Sequence, residues 1–204
     1  PKFDIGIRPT ETRIGRFEAY AWWGLLEESD YFDRARSADG RLFSGVSVSY
    51  APVFIPGLTL GVHRTVLQGL ANGDTAEVFQ AFNPLMSPEL GRDALDQRAS
   101  ITADWALPSV GFNIYLEWGR NDYSPRWSYI VRAPEHSQAF TYGLRQILYQ
   151  SSNRIWLLSG EISQFIHSRD YDIDLGKSQN GFYTHGTVTQ GYTHRGQILG
   201  ARIG

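Results

Sequence analysis

Apolar and polar residues take turns along most of this chain, and short and long interruptions of that rhythm take turns as well. Over residues 3–10, Phe3, Ile5 and Ile7 oppose Asp4, Gly6 and Arg8. Over 16–27, Phe17, Ala19, Ala21, Trp23 and Leu25 make one face, and Glu18, Tyr20, Trp22 and Gly24 the other. A period of two predicts strands with one apolar and one polar face. The rhythm returns over 42–53 (Val46, Val48, Tyr50 against Gly45, Ser47, Ser49) and 58–66 (Leu58, Leu60, Val62 against Thr59, Gly61, His63). It returns again over 98–107 (Ala99, Ile101, Ala103, Trp105 against Ser100, Thr102, Asp104) and 112–118 (Phe112, Ile114, Leu116, Trp118 against Asn113, Tyr115, Glu117). Residues 138–149 set Phe140, Tyr142 and Leu144 against Thr141, Gly143 and Arg145, and 154–166 set Trp156, Leu158, Gly160 and Ile162 against Leu157, Ser159, Glu161 and Ser163. About eight strands are therefore expected before residue 180.

The connections fall into two classes. Glu11-Thr12, Pro56-Gly57, Pro108-Ser109 and Ser151-Ser152-Asn153 predict tight turns. Segments 28–41, 68–97 and 121–137 are long and polar, and 74–82 within the second reads as a short helix capped by Asp74 with Glu77 three residues on. Tight turns alternating with long loops are what an outer-membrane barrel shows at its two ends. Glu18, Asp104, Glu117, Arg145 and Glu161 fall on the polar faces, where a dry core would penalise them and a wet lumen would not. A soluble antiparallel sheet with one wet face gives the same period.

Composition sharpens this picture. The chain's 204 residues, read as one β domain over 1–204, are 42% hydrophobic, with six Trp and eleven Tyr, rings suited to a boundary between lipid and water. A net charge of −2 gives no basic excess to neutralise phosphates, so nucleic acid is not expected as a partner. There is no Cys, hence no disulfide and no thiol chemistry. No apolar run approaches the roughly 18 residues of a membrane helix, so any membrane crossing is expected to use strands. The chain opens at Pro1 and stops inside its own glycine series, and is expected to be a piece, incomplete at both ends. The predicted class is all-β: an antiparallel, hairpin-connected transmembrane β-barrel, part of which this chain supplies.

The closing stretch, 180–204, carries the most regular spacing. Gly181, Gly186, Gly191, Gly196, Gly200 and Gly204 punctuate Tyr183, His185, Tyr192, His194, Arg195 and Gln197. Rings and hydrogen-bonding side chains on a backbone that can turn sharply suit a surface that touches sugars. A Gly-rich hairpin, with glycines serving the turns and tyrosines covering a neighbouring strand, explains the same residues. No G-K-[ST] supports a phosphate loop, and His185 and His194 have neither the spacing nor the companions of metal ligands, so no cofactor or metal is expected. His63, His136 and His167 are isolated in sequence, and nothing there pairs any of them with a nucleophilic serine. Glu18, Glu117 and Glu161 stand where wet carboxylates are expected anyway rather than as a glycosidase pair. No catalytic residue is assigned.

The pattern Y-x-H-G-x4-G-Y-x3-G-x3-G, carried by Tyr183, His185, Gly186, Gly191, Tyr192, Gly196 and Gly200, resembles the C-terminal signature of the Wzi-type capsule assembly family. The runs D-Q-R-A-S-I-T-A-D-W-A-L-P, T-Y-G-L-R-Q, L-S-G-E-I-S and Y-T-H-G look like successive strands of that family, so the resemblance covers 97–204 well and 1–96 loosely. It implies an outer-membrane barrel acting as a surface lectin for capsular polysaccharide, a non-enzyme, monomeric when complete, whose partners are the glycan and the bilayer. Tyr183, His185, Tyr192, His194, Arg195 and Gln197 are the expected glycan-binding residues, with Arg195 mattering most for an acidic polymer. The alternatives are a porin or other barrel, an outer-membrane enzyme among them, and a soluble carbohydrate-binding β-sandwich.

Overall fold

The computed structural model describes residues 2–26, 40–69, 95–121 and 138–166, and within the closing stretch the pairs 184–185, 188–189, 193–194 and 197–198. Eight strands run β1 (Lys2–Glu11), β2 (Gly15–Leu26), β3 (Arg41–Pro52), β4 (Leu58–Gly69), β5 (Leu95–Leu107), β6 (Phe112–Asn121), β7 (Gln138–Gln150) and β8 (Ile155–Ile166). Each pairs antiparallel with the next in chain order, giving one up-and-down sheet. Among the described residues no ladder joins β1 to β8, so the sheet is not closed. The expected all-β, hairpin-connected architecture and the count of eight strands are both found.

The sheet's end that carries the tight turns is held by side chains of the strand that follows each hairpin. The Tyr50 hydroxyl donates to the Ile14 carbonyl (2.8 Å), Trp105 Nε1 to Pro56 O (3.3 Å) and Gln146 Nε2 to Val110 O (3.0 Å). Two of these turns need glycine. Gly57 sits at φ 82°, where a Cβ would fall 1.9 Å from the Ala106 carbonyl oxygen, and Gly111 closes the Pro108–Val110 3₁₀ turn at φ 63°. The long connections all leave the opposite end, as the alternation of turn chemistry predicts.

Register carries the sequence pattern across the sheet. Ile7↔Ala19↔Val48↔Val62↔Ile101↔Trp118↔Phe140 is one continuous row on the apolar face. Ser49↔Gly61↔Thr102↔Glu117↔Thr141↔Ser163 is a row on the other face. Ala21 lies on the apolar face as expected but is only 6% exposed, because its single methyl sits between the larger Ile5 and Val46.

Toward the long connections the expected boundaries are corrected. Residues 68–69 and 95–97 read as connection, yet β4 runs on to Gly69 and β5 begins at Leu95, with Val66↔Gln97 and Gln68↔Leu95 paired. β6 continues past Trp118 to Asn121. Backbone pairing outlasts the alternation that reveals it, because Arg64, Gln97 and Arg120 occupy apolar-face positions there and break the pattern. All three are buried, and Arg64 Nη2 donates to Gln97 Oε1 at 2.5 Å, a charge-assisted bond that offsets part of the cost of burying them. The helix expected over 74–82 lies outside the described residues.

On the polar face four glycines sit beneath rings from adjacent positions. Tyr20 lies beside Gly6, Trp22 over Gly45, His63 over Gly61, and Tyr115 over Gly143, where an added Cβ would come within 2.0 Å of the ring. A ring laid on a strand glycine hides backbone that would otherwise be bare and fixes register. Gly143→Ala should therefore displace Tyr115 at a cost of about 1–3 kcal/mol in unfolding free energy. Adding Tyr115→Ala should make the alanine at 143 nearly neutral, a coupling that a double-mutant cycle measures.

Candidate functional site

The polar face is where side chains of different chemistry meet, because the period of two brings every second residue of all eight strands to it. In its middle, the His63 imidazole lies between two hydroxyls. Ser47 Oγ is 2.8 Å from Nδ1 and Thr102 Oγ1 is 3.0 Å from Nε2. Gly61 makes the second bond possible: a Cβ there would stand 2.3 Å from Thr102 Oγ1 and 2.7 Å from His63 Nε2. A neutral imidazole donates through one nitrogen and accepts through the other, so this is a hydroxyl–imidazole–hydroxyl relay across β3, β4 and β5.

Nothing in the sequence pairs His63 with a serine; the fold sets Ser47 beside it. Sequence separation conceals this pairing, since Ser47 and His63 are 16 residues apart and meet through the β3–β4 register, Ser47↔His63. Alternation places both on one face, but only the exact hairpin register makes them neighbours. Both ring partners are hydroxyls, whereas in a serine–histidine nucleophile the second nitrogen is oriented by a carboxylate. The relay is a hydrogen-bonding element that ties three strands together.

Further polar pairs follow the same logic. Asn113 Nδ2 donates to Asp104 Oδ1 (2.8 Å), Tyr115 donates its hydroxyl proton to Glu161 Oε2 (2.5 Å), and Thr141 and Ser163 share a bond of 2.9 Å. The Arg145 guanidinium carbon stands 5.2 Å from the centre of the Tyr115 ring. Glu18, Glu117 and Glu161 lie on β2, β6 and β8, with Glu161 engaged by Tyr115. Among the described residues no group of three His, Asp or Glu side chains could hold a metal ion.

Two hollows open on this face. One, of about 430 Å³, is lined by His63, Thr65, Arg98, Thr102, Glu117 and Thr141, a wall of hydroxyls and charge. The other, of about 510 Å³, lies over β1–β3 and is lined by Lys2, Tyr20, Trp22, Gly24, Leu26 and Phe43, a wall of rings with one ammonium. At its rim the Tyr20 hydroxyl donates to Asp4 Oδ2 (2.5 Å) and accepts from Lys2 Nζ (3.0 Å).

The residues chosen from the closing stretch are placed only in part. Its described backbone forms two minimal hairpins, Thr184–His185 with Val188–Thr189 and Thr193–His194 with Gln197–Ile198, each joined across two residues. His185 faces Val188 in register, and His194 faces Gln197. Tyr183, Tyr192, Arg195, Gly181, Gly186, Gly191, Gly196 and Gly200 lie outside the described residues. Compared with known proteins, the chain matches no family model, no curated relative and no solved structure.

If the relay is a genuine pair of hydrogen bonds, Ser47→Ala and Thr102→Val should each lower unfolding stability by about 0.5–1.5 kcal/mol. Denaturant titration of the refolded protein measures both. Ser49→Ala, on the same face of β3 but outside the relay, is the matched control and should change stability less than either.

Proposed function

We propose that these strands form part of the wall of a transmembrane β-barrel in a bacterial outer membrane, and that the protein holds an extracellular polysaccharide at the cell surface. The observation that carries the membrane reading is the separation of the two faces. Ile101 is 50% exposed, Ile114 47% and Ile162 72%, along with Val48, Leu60, Val62, Leu116 and Leu144 on the same face. A soluble monomer rarely exposes a contiguous apolar patch beyond a few hundred Å². Against lipid tails the same surface carries no hydrophobic penalty.

Three features support the assignment. Strands of ten to thirteen residues meet or exceed the roughly 9–11 that a tilted membrane strand needs. Rings gather on the apolar face near the tight turns, with Phe17 stacked on Tyr50 at 4.6 Å and Tyr149 edge-on to Trp156 at 6.4 Å. They gather again farther along, with Phe3 and Trp23 at 5.6 Å and Trp118 beside Phe140, as interfacial girdles would. The open edges of β1 and β8 run in opposite senses, as closure by an even number of further antiparallel strands requires, and unpaired backbone in hydrocarbon is costly enough to demand closure. No helix of the described residues is long and apolar enough to cross a membrane.

The polysaccharide part rests on chemistry. The polar face offers hydroxyls, carboxylates, an imidazole and ring surfaces, groups that match a polyhydroxylated polymer, and the closing stretch adds Tyr183, His185, Tyr192, His194, Arg195 and Gln197. The resemblance of that stretch to the capsule assembly family points the same way.

Two experiments separate the parts. Ile114→Arg should impair membrane assembly by about 2–4 kcal/mol if it lies near the midplane, whereas Tyr115→Phe on the opposite face should be tolerated. Equal tolerance at both positions would sink the membrane reading. Tyr192→Ala and Arg195→Ala, at normal surface levels of the full-length protein, should each reduce cell-surface polysaccharide retention. Unchanged retention in both would remove the closing stretch from binding.

A further inference from the structure

Gly24 departs from the pattern that governs its neighbours. On the polar face Gly6, Gly45, Gly61 and Gly143 are each met by a ring, yet among the described residues an added Cβ at Gly24 would meet only the Phe43 carbonyl oxygen, at 3.8 Å. The space above Gly24 is the larger hollow, about 510 Å³, within the range of small-ligand sites. Its sides are rings. Trp22 and Phe43 stand edge to face at 4.6 Å and 64°, held by Trp22 lying across Gly45. Lys2 is directly opposite Gly24 in register, and its ammonium is bound to the Tyr20 hydroxyl, which in turn binds Asp4.

We propose that this hollow is a saccharide subsite that takes a neutral pyranose unit, its apolar C–H face against Trp22 and Phe43 and its hydroxyls at Lys2, Tyr20 and Asp4. Resting on the polysaccharide reading above, the proposal names where on the polar face the polymer is gripped and what charge it carries there. Ring faces attract C–H groups because the π surface is negative and the C–H hydrogens are slightly positive. A sugar hydroxyl both donates and accepts, and the trio offers both: ammonium protons, a phenol and a carboxylate. Lys2 and Asp4 lie 4.0 Å apart and cancel in charge, so this pair adds no net charge that would favour an acidic sugar over a neutral one. Gly24 is then kept free of a covering ring because the ligand's ring covers it.

The test uses the full-length protein in detergent micelles and isothermal titration with neutral hexasaccharides of glucose, galactose and mannose, beside hexagalacturonate as the acidic probe. At least one neutral hexasaccharide should bind, and more tightly than hexagalacturonate. Gly24→Val, which the open space accommodates without displacing backbone, should abolish that binding. Asp4→Ala, at the exposed rim, should weaken it about threefold to tenfold. Circular dichroism and heat-modifiable gel migration should be unchanged in both variants. Neutral binding that survives Gly24→Val and Asp4→Ala would overturn the subsite and leave the polysaccharide reading standing. Binding of hexagalacturonate alone would do the same. Binding of no saccharide would count against both.

Discussion

Each face assignment in this protein depends on the hydrogen-bonded register of seven consecutive antiparallel ladders. With a side-chain period of two, a slip of one residue in any ladder would exchange apolar and polar faces for every strand beyond it. The ladders β2–β3, β3–β4, β4–β5, β5–β6 and β6–β7 run without a register shift. The two shifts, between Ile7 and Thr10 and between Ile147 and Tyr149, fall in the outermost ladders and next to tight turns, where a bulge bends the strand without transmitting a slip inward. Turn geometry and ring-on-glycine contacts hold that register from one end and from one face respectively.

The polar face follows from the same constraint. A relay such as Ser47–His63–Thr102 needs three strands in one register, and the space for its second bond comes from a glycine two residues before the histidine on the same strand. Trp22 over Gly45 and Tyr115 over Gly143 use the glycine directly opposite on the next strand. Glycine on this face therefore creates room, which a ring usually fills. Where it remains open, at Gly24, the sheet offers a hollow walled by rings, and the binding proposal grows from that difference.

Alternation makes most of the fold legible in the sequence, because an antiparallel sheet with one apolar and one wet face imposes it on every strand. It failed toward the long connections, where Arg64, Gln97 and Arg120 take apolar-face positions and strand continues beneath an irregular sequence. The site was less legible. Ser47 and Thr102 are visible only as polar-face residues, and nothing local joins either to His63, since the contact depends on the exact β3–β4 and β4–β5 registers. The closing stretch shows the opposite case: its glycine spacing stands out in the sequence, and the described backbone there is limited to two pairs of two-residue strands.

The central claim is that one face of this sheet meets lipid and the other meets water. Because the chain has no native cysteine, single cysteines can be placed at each position from 112 to 118 and spin-labelled in the full-length protein reconstituted in bilayers. Power-saturation measurements then compare collision with oxygen, which concentrates in lipid, and with a water-soluble nickel chelate. The account predicts strict alternation, with oxygen favoured at 112, 114, 116 and 118 and nickel at 113, 115 and 117. Nickel accessibility at all seven positions, or a profile without a period of two, would contradict it.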